Sequence, residues 1–139
     1  MGEWMQTNRA NLINREMNDQ TYNERRKVIS IIYQCLRLNK SLPRVEVRIV
    51  ENKGNVLGRA TIFSRVPHIS ITKQAFSSED MLHNVVLHEL CHTWFDAMHD
   101  ETCPLMRSTI NKPLTKDKAF EIFKEYLKDY KSWNIYYIF

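Results

Sequence analysis

Five residues constrain this chain more than any others: His88-Glu89-Leu90-Cys91-His92, inside the largely apolar stretch from Met81 to Asp100. On an α-helix, positions four apart share a face, with side chains roughly 6 Å from one another. Two imidazoles so placed can converge on one metal ion. Glu89 falls roughly 100° further round, at the rim of that face. There it can reach a metal-bound water without displacing a ligand. Two ligands and a general base on one rigid element make up the HExxH arrangement.

The flanks support a helix. Ser77-Ser78-Glu79-Asp80 reads as its start, with Ser77 as N-cap, Asp80 at N3 and acids in the first turn favouring the dipole. Met81, Leu82, Val85, Val86, Leu87, Leu90, Trp94, Phe95 and Ala97 then surround it on nearly every side, the pattern of a central, buried helix. Two histidines and a glutamate are costly in such a setting without a partner. Ligation of Zn²⁺ by His88 and His92 is therefore preferred over a pair of satisfied core histidines. Cys91, on the far flank, reads as a small buried hydrophobe.

The rest of the composition sets limits. A chain of 139 residues, 43% hydrophobic and 26% charged, is expected to form a single domain over 1–139. No apolar run approaches the roughly 18 residues of a membrane span. The first residues lack the apolar core of a signal peptide, and Gln6 leaves Gly2 without a myristoylation signal. Cys35, Cys91 and Cys103 are too few and too scattered for a disulfide framework, so a reduced, cytoplasmic setting is expected. A net charge of +4 permits a nucleic-acid or acidic partner without arguing for one. Oligomeric state has no signature.

In chain order, residues 1–20 are polar, with Trp4 the one large anchor, and a frayed start is expected. A helix follows from Asp19 or Thr21 to about Asn39, with Tyr22, Val28, Ile29, Ile32, Tyr33 and Leu36 in helical period. Arg25-Arg26-Lys27 reads as a solvated face of it. Val45, Val47 and Ile49 alternate as a strand, Asn52 to Asn55 turn, and Leu57–Phe63 and His68–Thr72 read as two further strands. His68 and His83 are assigned structural roles. A closing helix is expected over Leu114–Lys131, with Thr115 as cap and Phe120, Ile122, Phe123, Tyr126, Leu127 and Tyr130 on its apolar side. The aromatic tail, 132–139, should dock on the core or lie across the cleft as a latency segment. The class is α+β: N-terminal helix, three-stranded sheet, HExxH helix, closing helix.

From about Arg44 to Asp100 the chain resembles the zincin metallopeptidases, and within them minimal SprT-like or WLM-type domains. The matching pieces are the strand Leu57-Gly58-Arg59-Ala60, the strand His68-Ile69-Ser70-Ile71 and the run from Asn84 to His92. The resemblance implies a zinc metalloendopeptidase acting on a peptide or protein, with Glu89 as general base. It also implies an edge strand that pairs with extended substrate, for which Gly58, Arg59, Ala60 and Thr61 are candidates. Such proteins often act on DNA-bound proteins; DNA as a partner has no support here from a zinc ribbon or a basic tail. A latent enzyme, or a zinc-binding interaction module of zincin fold without catalysis, is the alternative.

The third ligand stays open. Zinc catalysis needs three protein ligands and one free position. His99 follows His92 by seven residues, and on a continuous helix would lie roughly 10 Å further along. It can ligate only if the chain turns back after about Asp96. WLM-type and metzincin domains turn there at a glycine, with the histidine one residue sooner; here Phe95-Asp96-Ala97 occupies the bend. SprT-like domains place it further on, beside a glycine that this loop lacks. The competing donors are Asp96, Asp100, Glu101 and, from the closing helix, Glu121. Cys103-Pro104-Leu105-Met106 resembles a methionine turn and reads as plain packing.

Overall fold

The computed structural model describes residues 21–130, apart from 53 and 64. The expectations for residues 1–20 and for the aromatic tail lie outside these residues. Within them the chain runs α1 (helical over 21–38), β1 (Glu46–Val50), β2 (Gly58–Ala60), β3 (His68–Thr72), a 3₁₀ turn (Lys73–Ser77), α2 (Glu79–Phe95) and α3 (Lys116–Lys128). This is the α+β order expected.

Helix α1 buries Val28, Ile31, Ile32 and Cys35, spaced three, four and seven residues from the first. The stripe expected from sequence included Tyr22 and Tyr33, and these prove 59% and 56% exposed. Ile31 and Cys35 take their place. Thr21 is already helical and so cannot be the cap.

The sheet is mixed, in the order β1-β3-β2. Strand β3 occupies the centre, parallel to β1 with Val47 opposite Ile69, and antiparallel to β2 with Gly58 opposite Ile71. Flanked on both sides, β3 buries Ile69 and Ile71 completely. The second strand is shorter than the seven residues expected. Leu57 accepts from Thr72 N–H and Thr61 N–H still donates to His68, but Phe63 adopts a left-handed φ of 57° and takes the chain out of the sheet. Strand β2 is therefore a short edge.

Helix α2 starts one residue later than expected. Ser77 closes the 3₁₀ turn, and Ser78 is the N-cap, its Oγ accepting from Met81 N–H at 3.0 Å. Leu82 to His92 are all buried, so the helix runs through the centre of the molecule. Asn84, also buried, donates to the carbonyls of Asp80 and Leu114 and accepts from Leu114 N–H, pinning the entry to α3. Helix α3 is shorter at both ends than the expected 114–131. Thr115 caps it as expected, accepting from Lys118 N–H. Its Phe123 packs against Trp94 and Phe95 at ring separations of 6.1 and 5.5 Å, and Trp94 donates to the Pro43 carbonyl. Both ends of α2 are thus tied down.

Candidate metal centre

His88 and His92 lie one turn apart on α2, with their Nε2 atoms 3.1 Å from each other. Each ring's Nδ1 meets a backbone carbonyl: Leu105 O at 2.6 Å for His88, and Ala97 O for His92. A carbonyl only accepts, so each Nδ1 carries the proton and each Nε2 presents a lone pair. Burial pushes His88 down to about 4, against the opposing pull of the Leu105 carbonyl, and lowers His92 in the same way. Both rings are therefore neutral near pH 7. Two lone pairs at this distance repel unless something positive lies between them.

The third imidazole arrives by a backbone device. Helix α2 stops at Phe95, and Asp96 follows in the left-handed region, φ 52° and ψ 29°. The N–H groups of Asp96 and Ala97 both turn in to the Cys91 carbonyl. Aspartate tolerates this region better than most side chains, at a strain of roughly 1 kcal/mol. The absence of glycine at the bend is thus no obstacle. The reversed chain brings the His99 ring to 5.3 Å from His88 and 4.9 Å from His92, centroid to centroid. One ligating nitrogen from each of the three lies within 4.8 Å of the other two.

Among the described residues, the three histidines form the one group able to hold a metal. Asp96 spends its carboxylate on the Phe63 N–H. Asp100 accepts from the Thr102 N–H and hydroxyl, which holds its carboxyl below the ordinary range. Glu101 does the same for Ser108. Glu121 is exposed on α3, in a hollow it shares with Gln34 and Leu38. The carboxylates of Asp96, Asp100 and Glu101 thus accept hydrogen bonds elsewhere, and Glu121 stands exposed on α3, outside the histidine cluster.

Glu89 is 5% exposed, and its Oε1 lies 3.9 Å from His88 Nε2. Its Oε2 is buried with no hydrogen-bond partner among the described residues. Burial alone raises the carboxyl to about 8. A dication beside it would draw that value back down by direct attraction. The three imidazoles of His88, His92 and His99, with an unsatisfied buried carboxylate oxygen beside them, form a set of donors able to hold a metal ion with an acid–base group at its edge.

The cluster opens into a cleft of about 690 Å³. One wall is Asn55 to Gly58, leading into β2; the other is the loop Arg107 to Asn111. A second hollow, about 770 Å³, opens between α1 and the starts of α2 and α3, but holds only His83 of the histidines. His83 bonds to the Glu79 carbonyl and sits edge-on to Phe120, a structural role as expected. His68 begins β3, away from the cluster. Reasoning from sequence missed the carbonyls of Leu105 and Ala97, which orient the two helix histidines. No side chain signals them. Leu105 and Met106 are themselves buried, so the 103–106 turn does pack as expected, while its backbone serves the site.

With this geometry established, comparison with known proteins is informative. The sequence pattern of the SprT-like family matches residues 14–105, about two thirds of the chain. The chain belongs to the SprT-like family. That is a family of zincin-like metallopeptidases. No curated protein and no solved structure matches. The matched span of this SprT-like chain takes in His88, Glu89, His92 and His99, and ends on Leu105, whose carbonyl holds His88. Helix α3 lies beyond it. Among the described residues no helix is long and apolar enough to cross a membrane.

Proposed function

We propose that this SprT-like chain is a zinc-dependent endopeptidase, its metal held by His88, His92 and His99. The observation that carries the reading is the meeting of three imidazole nitrogens beside the unpartnered Oε2 of Glu89. When bound, zinc supplies a Lewis acid that makes water nucleophilic near neutral pH and polarises a carbonyl. Glu89, ionised, accepts the proton of the attacking water and returns it to the amine nitrogen as the peptide bond breaks. The carbonyls of Leu105 and Ala97 hold the His88 and His92 rings in the tautomer that leaves Nε2 free. Extended peptide would enter the cleft along the free edge of β2, using backbone groups of Gly58, Arg59, Ala60 and Thr61.

Elemental analysis joined to a peptidase assay tests this. Wild type should carry about one zinc per chain and cleave an unfolded protein. Glu89→Gln should keep the zinc and lose about 10²- to 10⁴-fold in kcat. His99→Ala should lose zinc. Bound zinc with no hydrolysis by wild type would leave a zinc-binding module without catalysis; a metal-free but folded wild type would end both readings.

A further inference from the structure

Gly58 sits where β2 passes over α2, and its backbone offers no reason for glycine. The one glycine of the described residues with a left-handed φ is Gly54. The reason is space. A Cβ at position 58 would lie 3.0 Å from Val85 Cγ1, 3.1 Å from Glu89 Cγ and 3.1 Å from the Ser70 carbonyl oxygen. These neighbours differ in how far they can give. Ser70 belongs to the central strand and is held in register with Arg59 and Arg48. Val85 is β-branched and 2% exposed, so its rotamer is fixed by the helix and by packing. Glu89 is unbranched and gives most readily.

Nothing polar resists such a shift. Among the described residues Glu89 Oε2 has no hydrogen-bond partner, and Oε1 lies 3.9 Å from His88 Nε2, beyond hydrogen-bond distance. The direction of the Glu89 side chain is therefore set by what packs against its methylenes, and Gly58 is one of those surfaces. We propose that Gly58 is a positioning residue for Glu89: the missing side chain lets the edge strand close on the glutamate stem and aims the carboxylate at the cluster. The proposal rests on the peptidase reading and goes beyond it, since main-chain pairing with substrate would tolerate alanine as well as glycine.

Gly58→Ala tests it. A misplacement of about 1 Å at a reacting group lowers turnover by as much as about 10²-fold. The variant should therefore show kcat reduced by about 10- to 100-fold, with KM and zinc content unchanged. Its crystal structure should show β2 still paired with β3 and the Glu89 side chain displaced. Adding Val85→Ala removes Cγ1, makes room for the new methyl group and should restore part of kcat; a merely destabilising change would be worsened by that second, cavity-forming one. The double variant also serves if Gly58→Ala alone does not fold. The idea is overturned by a kcat within twofold of wild type, by a crystal structure in which Glu89 has not moved, or by additive losses in the double variant. Should wild type hydrolyse nothing, the peptidase reading fails, while the crystal structure still decides whether the methyl group displaces Glu89.

Discussion

The three clustered histidines come from two unlike pieces of chain. Helix α2, which carries His88 and His92, is buried from Leu82 to His92 and held at both ends by Asn84 and Trp94. The return loop, which carries His99, is exposed from Met98 to Thr102 and owes its course to one left-handed residue. On the helix, spacing alone sets the geometry, because a helical turn has one shape. In the loop the same outcome depends on a backbone angle and a few hydrogen bonds. The helix supplies a rigid half-site and the loop closes it.

The largest effects should follow from breaking the rigid half. His88→Ala removes a buried imidazole that the proposed reading makes a zinc ligand, and leaves the Leu105 carbonyl without its donor. Zinc should fall from about one per chain to near zero by elemental analysis. Retention of stoichiometric zinc would mean that His88 is not a ligand.

The scaffold under the helix comes next. Phe123 is fully buried against Trp94 and Phe95, where α3 braces the end of α2. Phe123→Ala should cost about 3–5 kcal/mol in urea unfolding. A loss below about 1 kcal/mol would show that α3 does not support the helix end.

A pH experiment isolates the burial of the helix from its ligation. In metal-free protein Glu89 is raised from 4.5 to about 8, so the folded chain keeps a proton that the unfolded chain releases. Its contribution is present below about 4.5 and lost as pH rises towards 8. His88 is lowered from 6.5 to about 4, so stability is instead lost as pH falls below 6.5. The two slopes oppose each other between 4.5 and 6.5, and above 6.5 Glu89 acts without that opposition. From pH 6.5 to 8, in chelator, wild type should lose about 2 kcal/mol relative to Glu89→Gln. Parallel stability curves for the two proteins would contradict the raised value.

What could be read from sequence follows the same division. Residues whose neighbours are local were placed well: the helix around His88 and His92, the strand His68–Thr72, the Thr115 cap. The joint position of His88, His92 and His99 was one of several arrangements left open, because nothing in Phe95-Asp96-Ala97 announces a left-handed turn as glycine would. The shortening of β2 has a similar origin. Phe63 leaves the sheet to bond Asp96, a contact between residues 33 apart. The expected cap, Ser77, misses by one residue because the 3₁₀ turn takes Ser77 and leaves the adjacent serine, Ser78, to cap α2. Tyr22 and Tyr33 fit the helical period yet sit on its wet side, since an amphipathic ring satisfies the pattern from either edge of the stripe.

The smallest effects, and the sharpest test of the comparison, come from Asp96. It holds a left-handed φ of 52° and also accepts from the Phe63 N–H at 3.3 Å, and Phe63 is itself left-handed at 57°. One carboxylate thus links the two non-glycine outliers of the described residues. Asp96→Gly relieves the strain at 96 and forfeits the link, two terms of about 1 kcal/mol and opposite sign. Unfolding free energy should change by less than about 1 kcal/mol, with zinc retained. Asp96→Val keeps neither the link nor the conformation, because a β-branched side chain resists φ near +50°. It should lose about 1–2 kcal/mol and weaken zinc binding at least tenfold, measured by competition with a chelator. If the valine variant binds zinc as tightly as wild type, His99 is not held by this turn. If even the glycine variant loses zinc, the link to Phe63 matters more than the turn, and the loop is braced from the edge strand rather than from the helix.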